Sequence, residues 1–326
     1  MIGEFEMIAR YFAPLAEGQP AALGLIDDAA VLMPPAGREL VLTADAMVAG
    51  VHFLPDDPAD TVAQKLLRVN LSDLAAMGAA PLGYLLTCAW PRDIEESWVA
   101  DFARGLALDQ RRYGLSVLGG DMTATPGPLT LSLTAVGHVE PGRALRRSGA
   151  HAGDRIYVSG TIGDGALGLL VLSRRLHGLS AESSEYLGER YRRPEPRLSL
   201  GRALAEGALA TACLDVSDGL AADLGHIARR SGLGAKVKAR RVPLSFAARE
   251  ALAENLSLFS LLLTGGDDYE LCFTVAPERV RAIEALAQRL ELQLTDIGYM
   301  TEGEGVQILD RDDRPLALPR AGWTHF

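Results

Sequence analysis

Seven aspartates stand in five short stretches flanked by Gly, Ser and apolar residues. They are Asp27 and Asp28 in GLIDDAAVL, Asp45 in LTADAMVAGVHF, Asp73 in NLSDLAAMGA, Asp121 in VLGGDMT, and Asp215 and Asp218 in LDVSDGL. Their neighbours read as strand ends and helix starts, not as a solvated acidic tail. Carboxylates gathered inside a fold repel one another and cost desolvation energy. Divalent cations relieve that cost, and all-oxygen ligation selects hard cations such as Mg²⁺. The pattern therefore points to metal-assisted phosphate chemistry.

Each stretch also has a plainer reading. Adjacent Asp27 and Asp28 face opposite ways in a regular strand. In a turn entering a strand over Ala29–Met33, either both reach a metal or one closes an Asx turn. Asn70 and Asp73 share one face of a helix expected over Thr61–Met77, a face that is either a ligand pair or simply solvated. Asp121 follows two glycines at a strand end, where a ligand can approach the backbone closely or a tight turn can form. Ser217 reads as the N-cap of a helix over Ser217–Ser231, and a helix start both takes such a cap and attracts phosphate. Gly265–Glu270 (GGDDYE) adds three acids before a strand, or a hairpin turn. His52 is a structural or a ligand histidine, Arg146 and Arg147 reach a phosphate or lie at the surface, and Tyr113 stacks on a base or packs.

These residues must be positioned by a mixed set of elements. Strands are expected at Glu39–Val48, Leu82–Ala89, Leu129–Val139, Arg155–Ser159, Tyr269–Val275, Leu294–Tyr299 and Val306–Leu309. Helices are expected at Thr61–Met77, Ile94–Tyr113, Gly165–Leu176, Pro196–Gly207, Ser217–Ser231 and Pro277–Leu290. Val117–Leu118 leads into the GGD turn. The order is not a regular βαβα alternation, so the fold class is α+β. The Gly- and Arg-rich, aperiodic stretch Glu140–Gly153 marks a boundary between domains at 1–140 and 141–326.

Composition narrows the function. The chain has 326 residues, enough for two domains, and 48% hydrophobic content, as expected of a globular protein. A formal net charge of −10 argues against a nucleic-acid surface. No apolar run is long enough to span a bilayer, and MIGEFEMIAR lacks the basic and apolar regions of a signal peptide. Cys88, Cys213 and Cys272 are isolated in apolar strings and read as buried thiols in a reducing cytoplasm. No GxxxxGK[ST] loop, HRD catalytic loop, Rossmann GxGxxG or HExxH is present, and Gly160–Gly165 (GTIGDG) matches none of them. Any nucleotide is therefore anchored by metals and carboxylates.

Taken in order, IDDAAVL, TADAMVAGVHF, NLSDLAAMGA, GGDMT, RSGAHAGD, LDVSDGLAADLGHI and GGDDYELCF resemble thiamine-monophosphate kinase over almost the whole chain. That family lies in the superfamily of aminoimidazole ribonucleotide synthetase-like ATP-binding proteins. The resemblance implies a mixed-sheet N-terminal domain that binds ATP and Mg²⁺ and dimerises with its twin, and a C-terminal α/β domain. It implies a homodimer converting thiamine monophosphate to thiamine diphosphate with ATP and several Mg²⁺ ions. It implies metal ligation by Asp28, Thr43, Ala44 (through its carbonyl), Asp45, Asp73, Asp121, Asp215 and Asp218. Tyr113, Gly120, Asp121, Arg147 and Ser217 then contact ATP, and His52, Asp267 and Trp323 contact thiamine monophosphate. No catalytic group is implied beyond these metal and phosphate ligands. The chain departs from the family pattern at Ile26, at Ala44 and at Asp267, where a longer acid is usual. Selenophosphate synthetase, of the same superfamily, is expected to carry a reactive Cys or selenocysteine near its N-terminus, and no Cys precedes Cys88. A non-catalytic nucleotide-binding regulator is the alternative of a different class.

Overall fold

The computed structural model describes residues 3–318 and Gly322. The chain forms two compact units: residues up to Leu74 with Ala79–Pro141, and Ala75–Gly78 with the residues from Gly142 onward.

The first unit opens with a short helix, α1 (Glu4–Met7), and a run of tight helical turns to Leu25. It continues through β1 (Glu39–Val48), α2 (Ala59–Ala76), β2 (Ala80–Pro91), α3 (Glu96–Tyr113), β3 (Ser116–Thr125) and β4 (Thr130–Val139). Among the described residues its sheet has four strands in the order β1-β4-β2-β3, with β4 antiparallel to both neighbours and β3 parallel to β2. Register lines up Met47, Leu131 and Cys88 on one face, with Thr43, Ala135 and Tyr84 two steps away. The apolar members of that face are buried, and Trp90 packs edge-on against Phe102 of α3. The other face carries Leu42, Ala44, Leu85 and Thr87 and stays largely open; Leu42 is 63% exposed.

The solvated alternative for the Asn70–Asp73 face does not hold at Asn70, which is buried, while Asp73 is half-buried. Lys65, Arg68, Asn70 and Ser72 are all buried. Buried charge requires partners, and α2 has them. The Lys65 ammonium donates to the His52 carbonyl at 3.0 Å. Arg68 makes a two-pronged bond to Asp109 of α3, Nε to Oδ2 at 2.6 Å and Nη2 to Oδ1 at 3.0 Å.

Two further expectations in this unit are corrected. Ala29–Met33 is extended but not a strand. Its Ala30 and Leu32 pack against Ala21, Leu118 and Val136, and Val31 N–H bonds the Ala21 carbonyl, so the apolar run serves packing and not a ladder. Gly119-Gly120-Asp121 is not a turn but the middle of β3. A Cβ at Gly120 would lie 1.8 Å from the Leu86 carbonyl oxygen, so glycine answers a close approach of strands. The β2–β3 ladder steps from Tyr84–Val117 to Leu85–Gly119, leaving Leu118 as a bulge residue.

The second unit runs β5 (Arg155–Ser159), α4 (Asp164–Leu172), α5 (Ala181–Arg192), α6 (Leu198–Glu206), β6 (Ala212–Val216), α7 (Leu220–Ser231), β7 (Gly234–Lys238), α8 (Phe246–Glu254), α9 (Phe259–Thr264), β8 (Glu270–Val275), α10 (Val280–Leu290), β9 (Leu294–Thr301) and β10 (Gly305–Leu309). Its mixed sheet has the order β10-β7-β9-β5-β8-β6. Alternation along β5 sends Ile156 and Val158 into a core with Leu220, Leu224 and Ile227 of α7. Tyr157 goes to the other face, with Leu200 and Leu204 of α6 and Ile283 and Leu286 of α10. Strands buried on both faces lack the period-two signal, which is why β6 escapes a periodicity reading; β7 alternates but is only five residues long. Together the units make an α+β fold. The helix expected from Ser217 begins instead at Leu220, with Gly219 as its cap residue at φ 111°. The helix expected to reach Leu176 stops at Leu172.

The Arg68–Asp109 pair lends itself to a direct test. Removing one partner of a buried pair leaves the other charge uncompensated, at a cost of about 3–5 kcal/mol. Asp109→Asn is expected to lower stability by about that amount in denaturant titration, and Arg68→Met/Asp109→Leu to recover part of the loss.

Candidate functional site

In the first unit the expected ligands fall into two groups. Asp27 and Asp28 are exposed in a bend after the last helical turn. Asp121 pairs in register with Thr87 on the open face of the sheet. These aspartates, with Thr87, Gly119 and Thr134, line a cavity of about 530 Å³. Thr43 and Asp45 lie on the helix-packed face, alternating with Ala44, so only the Ala44 carbonyl is available as a donor oxygen. There the Thr43 hydroxyl donates to Asp73 Oδ2 of α2 at 2.5 Å. The Asp45 carbonyl accepts from the Ser132 hydroxyl at 3.1 Å. The sheet thus brings Asp28 together with Asp121, and Thr43 with Asp73, on opposite faces.

His52 sits in the loop after β1. Its Nδ1 accepts the Val48 N–H at 3.0 Å, which leaves the neutral ring's proton on Nε2. Tyr113 ends α3 with the Arg68 and Arg112 guanidinium groups 5.7 and 5.3 Å from its ring centroid. Such stacking holds the ring by cation–π attraction.

In the second unit, Asp215 is buried near the end of β6 and stands opposite Leu271 of β8. The following turn is held by a residue that motif reading passed over. Asp223 Oδ2, one turn inside α7, accepts the N–H groups of Ser217 at 3.1 Å and Asp218 at 3.0 Å. Burial pushes the Asp223 carboxyl up to about 7, against the pull of those N–H groups and of Arg147. Arg147 itself is exposed.

The GGDDYE acids divide by role. Asp267 is half-buried, with φ 71°. Asp268 is buried and accepts Gly163 N–H at 2.7 Å and Gly165 N–H at 3.1 Å at the start of α4. Burial drives its carboxyl well above the usual range. Glu270 is buried, accepts the Ser159 hydroxyl at 2.6 Å, and pairs with Arg190 at 2.9 Å and Arg197 at 2.6 Å. Burial raises its carboxyl, but the two arginines outweigh burial and hold it below the ordinary value. Asp164 accepts from Thr161, Tyr186 and Ser245 at 2.5, 3.1 and 2.6 Å. The weak Gly-rich string GTIGDG is therefore the seat of Asp268. Arg190 and Arg197 left no signal in sequence, because surface and buried arginines look alike there. Trp323 lies outside the described residues.

The donors expected for a metal are hydroxyl, carbonyl and carboxylate oxygens, which suit Mg²⁺ in kind. Among the described residues, no three His, Cys, Asp or Glu side chains form a metal-binding group. Cys88, Cys213 and Cys272 are buried free thiols, and no described helix is long and apolar enough to cross a membrane.

A four-stranded mixed sheet followed by a six-stranded α/β unit, with aspartates at their strands and turns, defines a class. The AIR synthase related protein N-terminal domain matches residues 26–139, and the corresponding C-terminal domain matches residues 151–311. Within that class the chain is 46% identical to the thiamine-monophosphate kinase of Caulobacter vibrioides, over 99% of this chain and 90% of that protein. The crystal structure of thiamine-monophosphate kinase from Stenotrophomonas maltophilia K279a superposes with a TM-score of 0.85 at 44% identity, covering 97% and 98% of the two chains. A solved structure of AaThiL complexed with AMPPCP and TMP superposes with a TM-score of 0.79 at 32% identity, covering 99% and 97%. The chain belongs to the thiamine-monophosphate kinase family.

The Glu270 cluster carries its own test. A carboxyl held below its ordinary 4.5 contributes stability above that pH and loses it as pH falls through the folded value. Asp268 has the opposite sign, since its raised carboxyl stabilises the fold at low pH and loses that contribution as pH rises. Glu270→Gln is expected to lower Tm at pH 7 and to converge toward wild type as pH falls below the ordinary 4.5 and through the lowered folded value. A Tm difference that stays constant across that range would contradict the ion-pair assignment.

Proposed function

We propose that the protein transfers the γ-phosphoryl group of ATP to the phosphate of thiamine monophosphate, yielding thiamine diphosphate and ADP. Family membership supports this reading, as does the AaThiL structure complexed with AMPPCP and TMP. The observation that carries it is the cavity where Asp27, Asp28 and Asp121 meet on the open face of the first unit's sheet.

The acceptor is a phosphate monoester with a second pKa of about 6. At neutral pH its oxygen is already deprotonated, so no general base is required. The obstacle is repulsion between two anions, and bound Mg²⁺ supplies charge screening and in-line alignment. Asp28, Thr43, the Ala44 carbonyl, Asp45, Asp73 and Asp121 would hold Mg²⁺ in the first unit, and Asp215 and Asp218 in the second. Gly120 and Tyr113 would contact ATP, as would Arg147 and Ser217, whose turn Asp223 fixes. His52 offers its Nε2–H, and Asp267 and Trp323 offer a carboxylate and a flat ring, to thiamine monophosphate. The domain boundary falls at 140/141. The protein would work in the cytoplasm. It would act as a homodimer, a state supported by exposed Leu42 and Leu85 on the open sheet face.

Incubation with ATP, Mg²⁺ and thiamine monophosphate is expected to give equal amounts of thiamine diphosphate and ADP. Binding of ATP without either product would instead favour a nucleotide-binding regulator. Asp→Asn at 45, 73 or 121 is expected to abolish turnover while leaving the circular dichroism spectrum unchanged. Wild-type kcat in any of these variants would contradict the metal assignment. Chelation by EDTA should stop the reaction, and Mg²⁺ should restore it.

A further inference from the structure

We propose that Arg190 is a positioning residue for Asp267: from the buried side of the GGDDYE turn it holds Asp267 in the orientation that meets thiamine monophosphate. This rests on the assignment of Asp267 as a substrate contact.

The turn carries an unusual conformational load. Asp267 at φ 71° and Tyr269 at φ 52° both adopt the left-handed region, which L side chains rarely enter. Such strain persists only where the surroundings over-determine it. Two backbone bonds tie the outer side, Asp267 N–H to the Ser217 carbonyl at 2.9 Å and Tyr269 N–H to the Val216 carbonyl at 2.8 Å. Between them, the Asp268 side chain is sunk into the start of α4.

Arg190, near the end of α5, closes the inner side. Its Nη2 donates to the Asp268 carbonyl at 3.3 Å and to Glu270 Oε1 at 2.9 Å. Its Nε lies 3.8 Å from Asp164 Oδ2. One guanidinium thus bonds residues on both sides of Tyr269 and lies within ion-pair range of the acid at the head of α4. Its side chain is 13% exposed. Gly165 presses from the same side: a Cβ there would lie 2.2 Å from the Asp267 carbonyl oxygen. Arg197 also pairs with Glu270 but makes no bond to the 267–269 backbone among those of the described residues. Arg190 is therefore the charge that couples the buried cluster to the turn's conformation.

A lysine at 190 keeps one positive charge and loses the fork. Steady-state kinetics on the full protein with ATP and Mg²⁺ should separate positioning from mere stability. Asp267→Ala and Arg190→Lys are each expected to raise KM for thiamine monophosphate about tenfold or more, leaving KM for ATP within about twofold. In the double variant, Arg190→Lys should add no further rise, because a residue acting through Asp267 has nothing left to act on. Additive effects, or a lowered Tm with unchanged KM, would overturn the proposal. An Asp267→Ala variant with unchanged KM would instead sink the substrate assignment beneath it. Should Arg190→Lys fail to fold, Arg190→Gln, which keeps N–H donors toward the Asp268 carbonyl and Glu270 but loses the fork, faces the same expectations.

Discussion

A carboxylate withdrawn from water must be met by donors or by opposite charge, and both units are organised around that requirement. In the first unit the Arg68–Asp109 fork links α2 to α3. In the second, Asp164, Asp268 and Glu270 are almost fully buried, and their oxygens are taken up by backbone N–H groups, hydroxyls and two arginines. These acids contact no solvent and so are spent on architecture. Asp27, Asp28, Asp121, Asp218 and Asp267 remain at least partly exposed.

Structural acids also shape the turns that carry the proposed ligand residues. Asp223 collects two N–H groups from the Ser217–Asp218 turn, and Asp268 pins the turn that follows Gly266. Because Asp267 N–H bonds the Ser217 carbonyl, the two turns are stitched together. A rigid frame of this sort pre-orients side chains before any ligand arrives, which lowers the ordering cost of binding.

Much of this was legible in the residue pattern. β5 and β1 fall where alternation puts them, and the α+β class follows from irregular element order. The Asp motifs were found because short polar strings bounded by apolar runs are conspicuous. What escaped detection escaped for physical reasons. Ala29–Met33 is an apolar run like that of a buried strand, yet Ala30 and Leu32 pack on Ala21, Leu118 and Val136 and the segment joins no ladder. In α2, the burial of Lys65 and Arg68 has no local signal, because the partners that make it possible, the His52 carbonyl and Asp109, lie elsewhere along the chain. Asp267 and Asp268 are chemically identical neighbours, and only tertiary structure tells the half-buried acid from the one sunk at the start of α4.

The bulge at Leu118 decides on which side of the sheet Asp121 emerges. A ladder continued from Tyr84–Val117 without the extra residue would set Asp121 beside Cys88, facing the packed helices, and not beside Thr87. Side-chain direction in a strand is a matter of parity, so a single inserted residue acts as a sign change for everything downstream. The length of the segment between Val117 and Asp121 is thus as restrictive as its composition: a lone insertion or deletion there would turn the acid outside in, whereas paired changes would keep its facing.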